Sequence, residues 1–129
     1  MAKILIVEDD PYVRRFYGRL FNLNKYQVEM VGEPSDAVEK IKSFHPQLIL
    51  IDIMMPGMDG TQVLDKIKSD PETQNYTVVM LTNFGEEEMV KKCMKSGAVG
   101  FIYKSNTPPN QLLDEVDKYL TPSEGTPTI

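Results

Sequence analysis

The residues of this chain best suited to chemistry are the acids Glu8, Asp9, Asp10 and Asp52, joined by the hydroxyl of Thr82 and the ammonium of Lys104. Asp52 leaves the apolar run Leu48-Ile49-Leu50-Ile51 and enters the loop sequence Met54-Met55-Pro56-Gly57-Met58-Asp59-Gly60. A carboxylate at that junction is placed at a rim, not in a core. Glu8-Asp9-Asp10 ends a second apolar run, Ile4-Leu5-Ile6-Val7. If the two runs are neighbours in a parallel sheet, their carboxylates converge and repel one another unless a cation lies between them. A divalent metal is the simplest such cation. Asp9 and Asp52 offer the hard oxygen ligands that Mg²⁺ prefers, and Glu8 and Asp10 can ligate through water or shape the field. Asp52 can also be a nucleophile, because aspartate carboxylates form aspartyl phosphates. Lys104 can place a positive charge beside a phosphoryl oxygen, and Thr82 can donate a hydroxyl hydrogen bond. Phosphoryl transfer asks chiefly for such positioning and charge neutralisation.

The elements that must position these groups are legible as five apolar runs, Ile4–Val7, Tyr26–Val31, Leu48–Ile51, Thr77–Leu81 and Gly100–Tyr103. Several are apolar on successive residues, the pattern of strands covered on both faces. Amphipathic helical patterns lie between them. The first holds Val13, Phe16, Tyr17, Leu20 and Phe21, with Asp10 as N-cap and Pro11 at the first helical position. The second, entered through Pro34, holds Ala37, Val38, Ile41 and Phe44. The third holds Val63, Leu64 and Ile67 and ends before Pro71. The fourth holds Met89, Val90, Cys93 and Met94, opens on Glu86-Glu87-Glu88 and closes at Gly97. The fifth, entered through Pro108-Pro109, holds Leu112, Leu113, Val116 and Leu120. Strand and helix alternating five times predict a three-layer α/β domain with a parallel sheet. In such sheets ligands bind outside the carboxyl ends of the strands. Glu8-Asp9-Asp10, Asp52, Thr82 and Lys104 all fall at those ends, so four strands deliver polar groups to one rim.

The 129 residues suit one domain, expected over 1–120, with 121–129 read as a flexible tail or the start of a linker. A net charge of −5 argues against direct nucleic-acid binding, which needs a basic face. The apolar runs fall far short of a membrane span, and Met1-Ala2-Lys3 leads straight into Ile4 without the features of a signal peptide. The single Cys93 cannot bridge internally and fits a reducing compartment. The expected location is the cytoplasm. Cys93 reads as core and His45, before Pro46, as a surface residue. Met54, Met55 and Met58 read as loop packing or a docking edge. No glycine-rich phosphate loop supports nucleotide binding.

Taken in order and spacing, the motifs Ile4-Leu5-Ile6-Val7-Glu8-Asp9-Asp10, Asp52 with Met55-Pro56-Gly57-Met58-Asp59-Gly60, Thr82 after Val78-Val79-Met80-Leu81, and Gly100-Phe101-Ile102-Tyr103-Lys104 resemble the response-regulator receiver domain of two-component signalling. The resemblance runs from Lys3 to about Leu120. It implies a flavodoxin-like (βα)₅ fold with strand order 2-1-3-4-5. It implies that Asp52 is the phosphoacceptor and Asp9 a direct Mg²⁺ ligand, with Glu8 the second acid of the pair and the backbone carbonyl of Met54 completing the metal site. Thr82 and Tyr103 would be the switch pair, and Lys104 would contact the phosphoryl group. The implied partners are a histidine kinase or histidine phosphotransfer protein upstream and a protein partner or output domain downstream. That downstream partner would meet the face built from the fourth helix, fifth strand and fifth helix, a face through which such domains also form homodimers.

Three positions depart from the usual family pattern. Ser105 stands where proline commonly follows the lysine, Asn83 where a small residue usually follows the threonine, and bulky Phe84 comes next. Met54 and Phe84 are expected to shield an acyl phosphate from water, so Met54, Asn83 and Phe84 are read as tuning its lifetime towards slow autodephosphorylation. Two other readings compete with that of a signalling receiver. A receiver-like binding module without phosphotransfer is one; the intact Asp9, Asp52, Thr82 and Lys104 argue against it. A phosphatase with an aspartate nucleophile is the other. The haloacid-dehalogenase type places a second Asp two residues after the nucleophile, where this chain has Met54.

Overall fold

A computed structural model describes residues 1–57, 59–105 and 107–125. Five parallel strands, β1 (Lys3–Val7), β2 (Gln27–Val31), β3 (Leu48–Asp52), β4 (Val78–Thr82) and β5 (Gly100–Tyr103), form one sheet in the order β2-β1-β3-β4-β5. Five helices alternate with them: α1 (Pro11–Leu23), α2 (Ala37–Phe44), α3 (Gly60–Ser69), α4 (Glu87–Lys95) and α5 (Pro109–Gly125). The expected strand order is therefore the observed one. Pro34 does open the second helical segment, through a 3₁₀ turn over Pro34–Asp36.

Alternation along the strands divides the core in two. Leu5, Val7, Ile49, Ile51, Val78 and Met80 point to one face and pack on α2, α3 and α4 through side chains such as Ile41, Leu64 and Cys93. Ile4, Ile6, Leu48, Leu50, Val79 and Leu81 point to the other and meet Phe21 of α1 and Val116 of α5. Every residue of β3 and β4 is buried, which is why those strands read as unbroken apolar runs.

Helix termini hold the loops above the sheet. Asp10 caps α1, its Oδ1 accepting from the backbone N–H of Tyr12 at 2.8 Å and of Val13 at 3.3 Å, with Pro11 in the first turn. Asp59 and Gln62 form a capping box at the start of α3. Gly60 has to be glycine for want of room, since a Cβ there would strike the carbonyl oxygen of Asp52. The helical backbone of α5 runs to Gly125, five residues past the expected domain end at Leu120; the stretch contains no glycine before Gly125. The readings of Met58 and of the tail beyond Gly125 lie outside the described residues.

Candidate phosphoryl-acceptor site

Register decides which side chains meet. Val7 pairs with Ile51, so Glu8 emerges level with Asp52 at the ends of adjacent strands. Asp52 pairs with Leu81, and Thr82 with Tyr103. Lys104 follows Tyr103 and is tied to β4 by its backbone N–H, which donates to the Thr82 carbonyl at 2.8 Å. The rim expected from the sequence is thus assembled, and Glu8, Asp9 and Asp52 bring carboxylate oxygens within 4.8 Å of one another.

Glu8 and Asp52 are almost fully buried and Asp9 half-buried. Burial, with the charge of Asp52 adding to it, pushes the Glu8 carboxyl up to about 7. Burial also raises Asp52, against the hydrogen bond and charge of Lys104 and the N–H of Met54. Both carboxyls are therefore pushed towards their neutral forms. Lys104 Nζ donates to Asp52 Oδ2 at 3.0 Å and lies 3.5 Å from Glu8 Oε1. Burial works against that ammonium, but the hydrogen bond and charge of Asp52 outweigh it and hold its pKa above the ordinary lysine value. Among the described residues no buried side-chain nitrogen or oxygen lacks a partner. A pocket of three carboxylates with one lysine and an open cleft of about 550 Å³ suits a hard divalent ion. Glu8, Asp9, Asp10, Asp52, Met54 and Lys104 all line that cleft.

Other expected residues stand apart from this cluster. The Thr82 hydroxyl is buried and donates to Glu86 Oε1 at 2.7 Å. Tyr103 is half-buried and stacked on Phe84, ring centroids 4.5 Å apart. Phe84 is 58% exposed and faces Tyr103, whereas Met54, 51% exposed, lies at the cleft. Asn83 accepts from Ser105 Oγ at 3.1 Å, and no described peptide bond is cis. Asp10 serves as the α1 cap. His45 is exposed, at the end of α2, with Nδ1 3.0 Å from the Tyr76 hydroxyl. Cys93 is buried, and its thiol is pushed up to about 11 by desolvation.

Arg14 was not singled out by its sequence. It braces the acidic loop: Nη1 donates to the carbonyls of Glu8 at 3.0 Å and Asp9 at 2.9 Å. The guanidinium passes over Gly32, where a Cβ would sit 2.5 Å from Nη1. The available signal was spacing, since Arg14 lies one helical turn beyond Asp10 and reaches back over the loop. Tyr17 was read only as apolar packing. Its buried hydroxyl lies close enough to the rim to feel Lys104, Glu8 and Asp52, and burial pushes it up to about 12.

Comparison with known proteins agrees with this geometry. The family model described as the response regulator receiver domain matches residues 4–117. The chain is 32% identical over 118 residues to the sporulation initiation phosphotransferase F of Bacillus subtilis, covering 92% of this chain and 93% of that protein. It is 31% identical over 122 residues to the chemotaxis protein CheY of Halobacterium salinarum, covering 94% and 99%. The crystal structure of a CheY-like receiver domain protein from Methanospirillum hungatei superposes with a TM-score of 0.85 at 27% identity, over 96% of this chain and 97% of that one. Some relatives are longer, and the chain matches about half the length of the nitrate/nitrite response regulator NarL of Escherichia coli. No described helix is long and apolar enough to cross a membrane. Because the match takes in every strand that carries a rim residue, the chain belongs to the response regulator receiver domain family, signalling modules of two-component systems.

Proposed function

We propose that this domain accepts a phosphoryl group on Asp52 from a histidine kinase or histidine phosphotransfer protein, and that the modified domain binds its downstream partner differently. One observation carries the reading: Asp52 meets two further carboxylates and the ammonium of Lys104 in one open cleft. Asp52, paired with the Lys104 ammonium, attacks as the carboxylate. One of its oxygens forms a bond to phosphorus as the phosphorus–nitrogen bond of the donor phosphohistidine breaks, and the electron pair stays on the departing imidazole. Lys104 follows the developing charge onto the phosphoryl oxygens. Glu8, Asp9, Asp52 and the Met54 carbonyl would hold Mg²⁺, which neutralises charge on those oxygens.

Phosphorylation adds about −1.5 to −2 charge at the rim. Thr82 moves towards the new oxygens, Tyr103 turns inward, and the α4-β5-α5 face changes. A cavity of about 250 Å³ beside Thr82, Val90, Phe101 and Tyr103 leaves room for that rearrangement. The same face is where a homodimer would form. Catalysis is confined to this self-phosphorylation and slow self-hydrolysis, and the domain over 1–120 works in the cytoplasm. A similar Bacillus protein is named a phosphotransferase, which suits a place in a phosphorelay. Incubation with acetyl phosphate and Mg²⁺ should add one phosphoryl group by intact mass, and Asp52→Asn should add none. Labelling of the Asn variant at the wild-type level would refute the assignment.

A further inference from the structure

We propose that Glu86 is a positioning residue that clamps the Thr82 hydroxyl in the resting chain, so that occupation of Asp52 has to displace a carboxylate already holding it. The inference rests on the reading of Asp52 as phosphoryl acceptor. Thr82 Oγ1 donates to Glu86 Oε1 at 2.7 Å, and the Asn83 backbone N–H donates to the same oxygen at 2.8 Å. Both are short, charge-assisted bonds of the stronger kind.

Glu86 occupies the N-cap position of α4, yet its side chain makes no cap bond; it turns back to the end of β4. Gly85, with φ of 95°, makes the reversal that brings it there. Glu87 and Glu88 already supply the acids of the first turn, so the helix dipole does not require Glu86. Among the described residues no lysine or arginine pairs with it. The carboxylate is half-buried and is served by these two donors.

A threonine hydroxyl has one proton to donate. It cannot serve Glu86 and an oxygen on Asp52 together, and the two bonds exclude each other. Whatever free energy the clamp gives the resting arrangement is subtracted from the affinity of an anion at Asp52, and linkage makes the effect reciprocal. The loop released with Thr82 also carries Phe84, the ring stacked on Tyr103. Glu86 thereby couples the two halves of the switch.

Beryllofluoride, formed with Mg²⁺ present, serves as a stable stand-in for the phosphoryl group. Its affinity is read by titration of backbone amide chemical shifts in the wild type, Glu86→Ala, Thr82→Ala and the double variant. Loss of one charge-assisted bond from the resting state should tighten binding about tenfold in Glu86→Ala. In the Thr82→Ala background the same change should shift affinity by less than about twofold. Glu88→Ala, which removes the same charge from an exposed site in the first turn of α4, should behave as the wild type. An equal gain with and without Thr82 would mean simple charge removal and would overturn the clamp, as would no gain at all. If Glu86→Ala loses its dispersed amide spectrum, Glu86→Gln replaces it, with a gain of about threefold that again needs Thr82. Hydrogen exchange at the Asn83 amide reads the clamp without any anion and should quicken in either Glu86 variant. A wild type that protects Asn83 but binds no beryllofluoride would overturn the acceptor reading, and the clamp's role with it.

Discussion

Ser105 donates its hydroxyl to Asn83 Oδ1 at 3.1 Å, joining the loop after β5 to the loop after β4. These are two of the three positions where the chain departs from the receiver pattern, and they are partners of each other. The bond is at the surface, so its net worth is under about 1 kcal/mol. Asn83→Ala and Ser105→Ala should each cost less than that in chemical denaturation. The double variant should lose no more than the larger single loss, because both remove one bond. Strictly additive losses would mean that the bond contributes nothing to folding.

The Glu8 carboxyl makes stability depend on pH in an unusual direction. Its folded-state pKa, about 7, lies above the ordinary 4.5. Between those values the folded chain holds a proton that the unfolded chain releases. That stabilisation is complete below about pH 4.5 and is lost as pH rises through about 7. In EDTA the melting temperature should therefore fall from pH 5 to pH 8. Glu8→Gln should remove most of that slope and stabilise the metal-free chain at pH 8 by on the order of 2 kcal/mol. Mg²⁺ should restore wild-type stability at pH 8 and have little effect at pH 5. A melting temperature that climbs over this range in EDTA would contradict a Glu8 carboxyl raised by burial.

Arg14 should matter for the acidic loop more than its distance from the cleft suggests. Arg14→Met removes two bonds to the carbonyls of Glu8 and Asp9. It should weaken Mg²⁺ binding about fivefold or more and cost about 1–2 kcal/mol of stability. Gly32→Ala should cost about 1 kcal/mol by pushing on the guanidinium. Mg²⁺ titrations of Arg14→Met matching the wild type would show that the loop holds itself.

The fold was legible because the central strands are buried on both faces and their ends are marked by acids, threonine and lysine. Period and spacing were enough to place Asp52, Asp9, Thr82 and Lys104 at one rim. What the pattern did not reveal were relationships between side chains of distant segments. Glu86 reads as an ordinary acid at a helix start until Gly85 turns it back onto Thr82. Arg14 reads as a surface charge until its guanidinium reaches the Glu8 and Asp9 carbonyls. The raised pKa of Glu8 follows from burial beside Asp52, which depends on the register of β1 against β3. Phe84 was read together with Met54 as a shield, but the two rings Phe84 and Tyr103 are stacked and only Met54 lines the cleft.

That last difference separates two lifetimes. Met54→Asn places a polar group at the mouth of the cleft and should speed hydrolysis of phosphorylated Asp52 about tenfold, by helping to orient water. Phe84→Ala should change the rate less and should instead alter the Tyr103 environment in aromatic NMR spectra. Equal acceleration by both variants would restore the shared-shield reading.

The central claim is that Asp52 itself carries the phosphoryl group. Acyl phosphates are reduced by borohydride to the alcohol, which marks the modified side chain permanently. After treatment with acetyl phosphate and Mg²⁺, followed by borohydride, peptide mass spectrometry should find the reduced side chain at position 52 and nowhere else. The mark should be lost when EDTA replaces Mg²⁺. Reduction at Asp9 or another carboxylate, or none at all in a folded protein, would contradict the account.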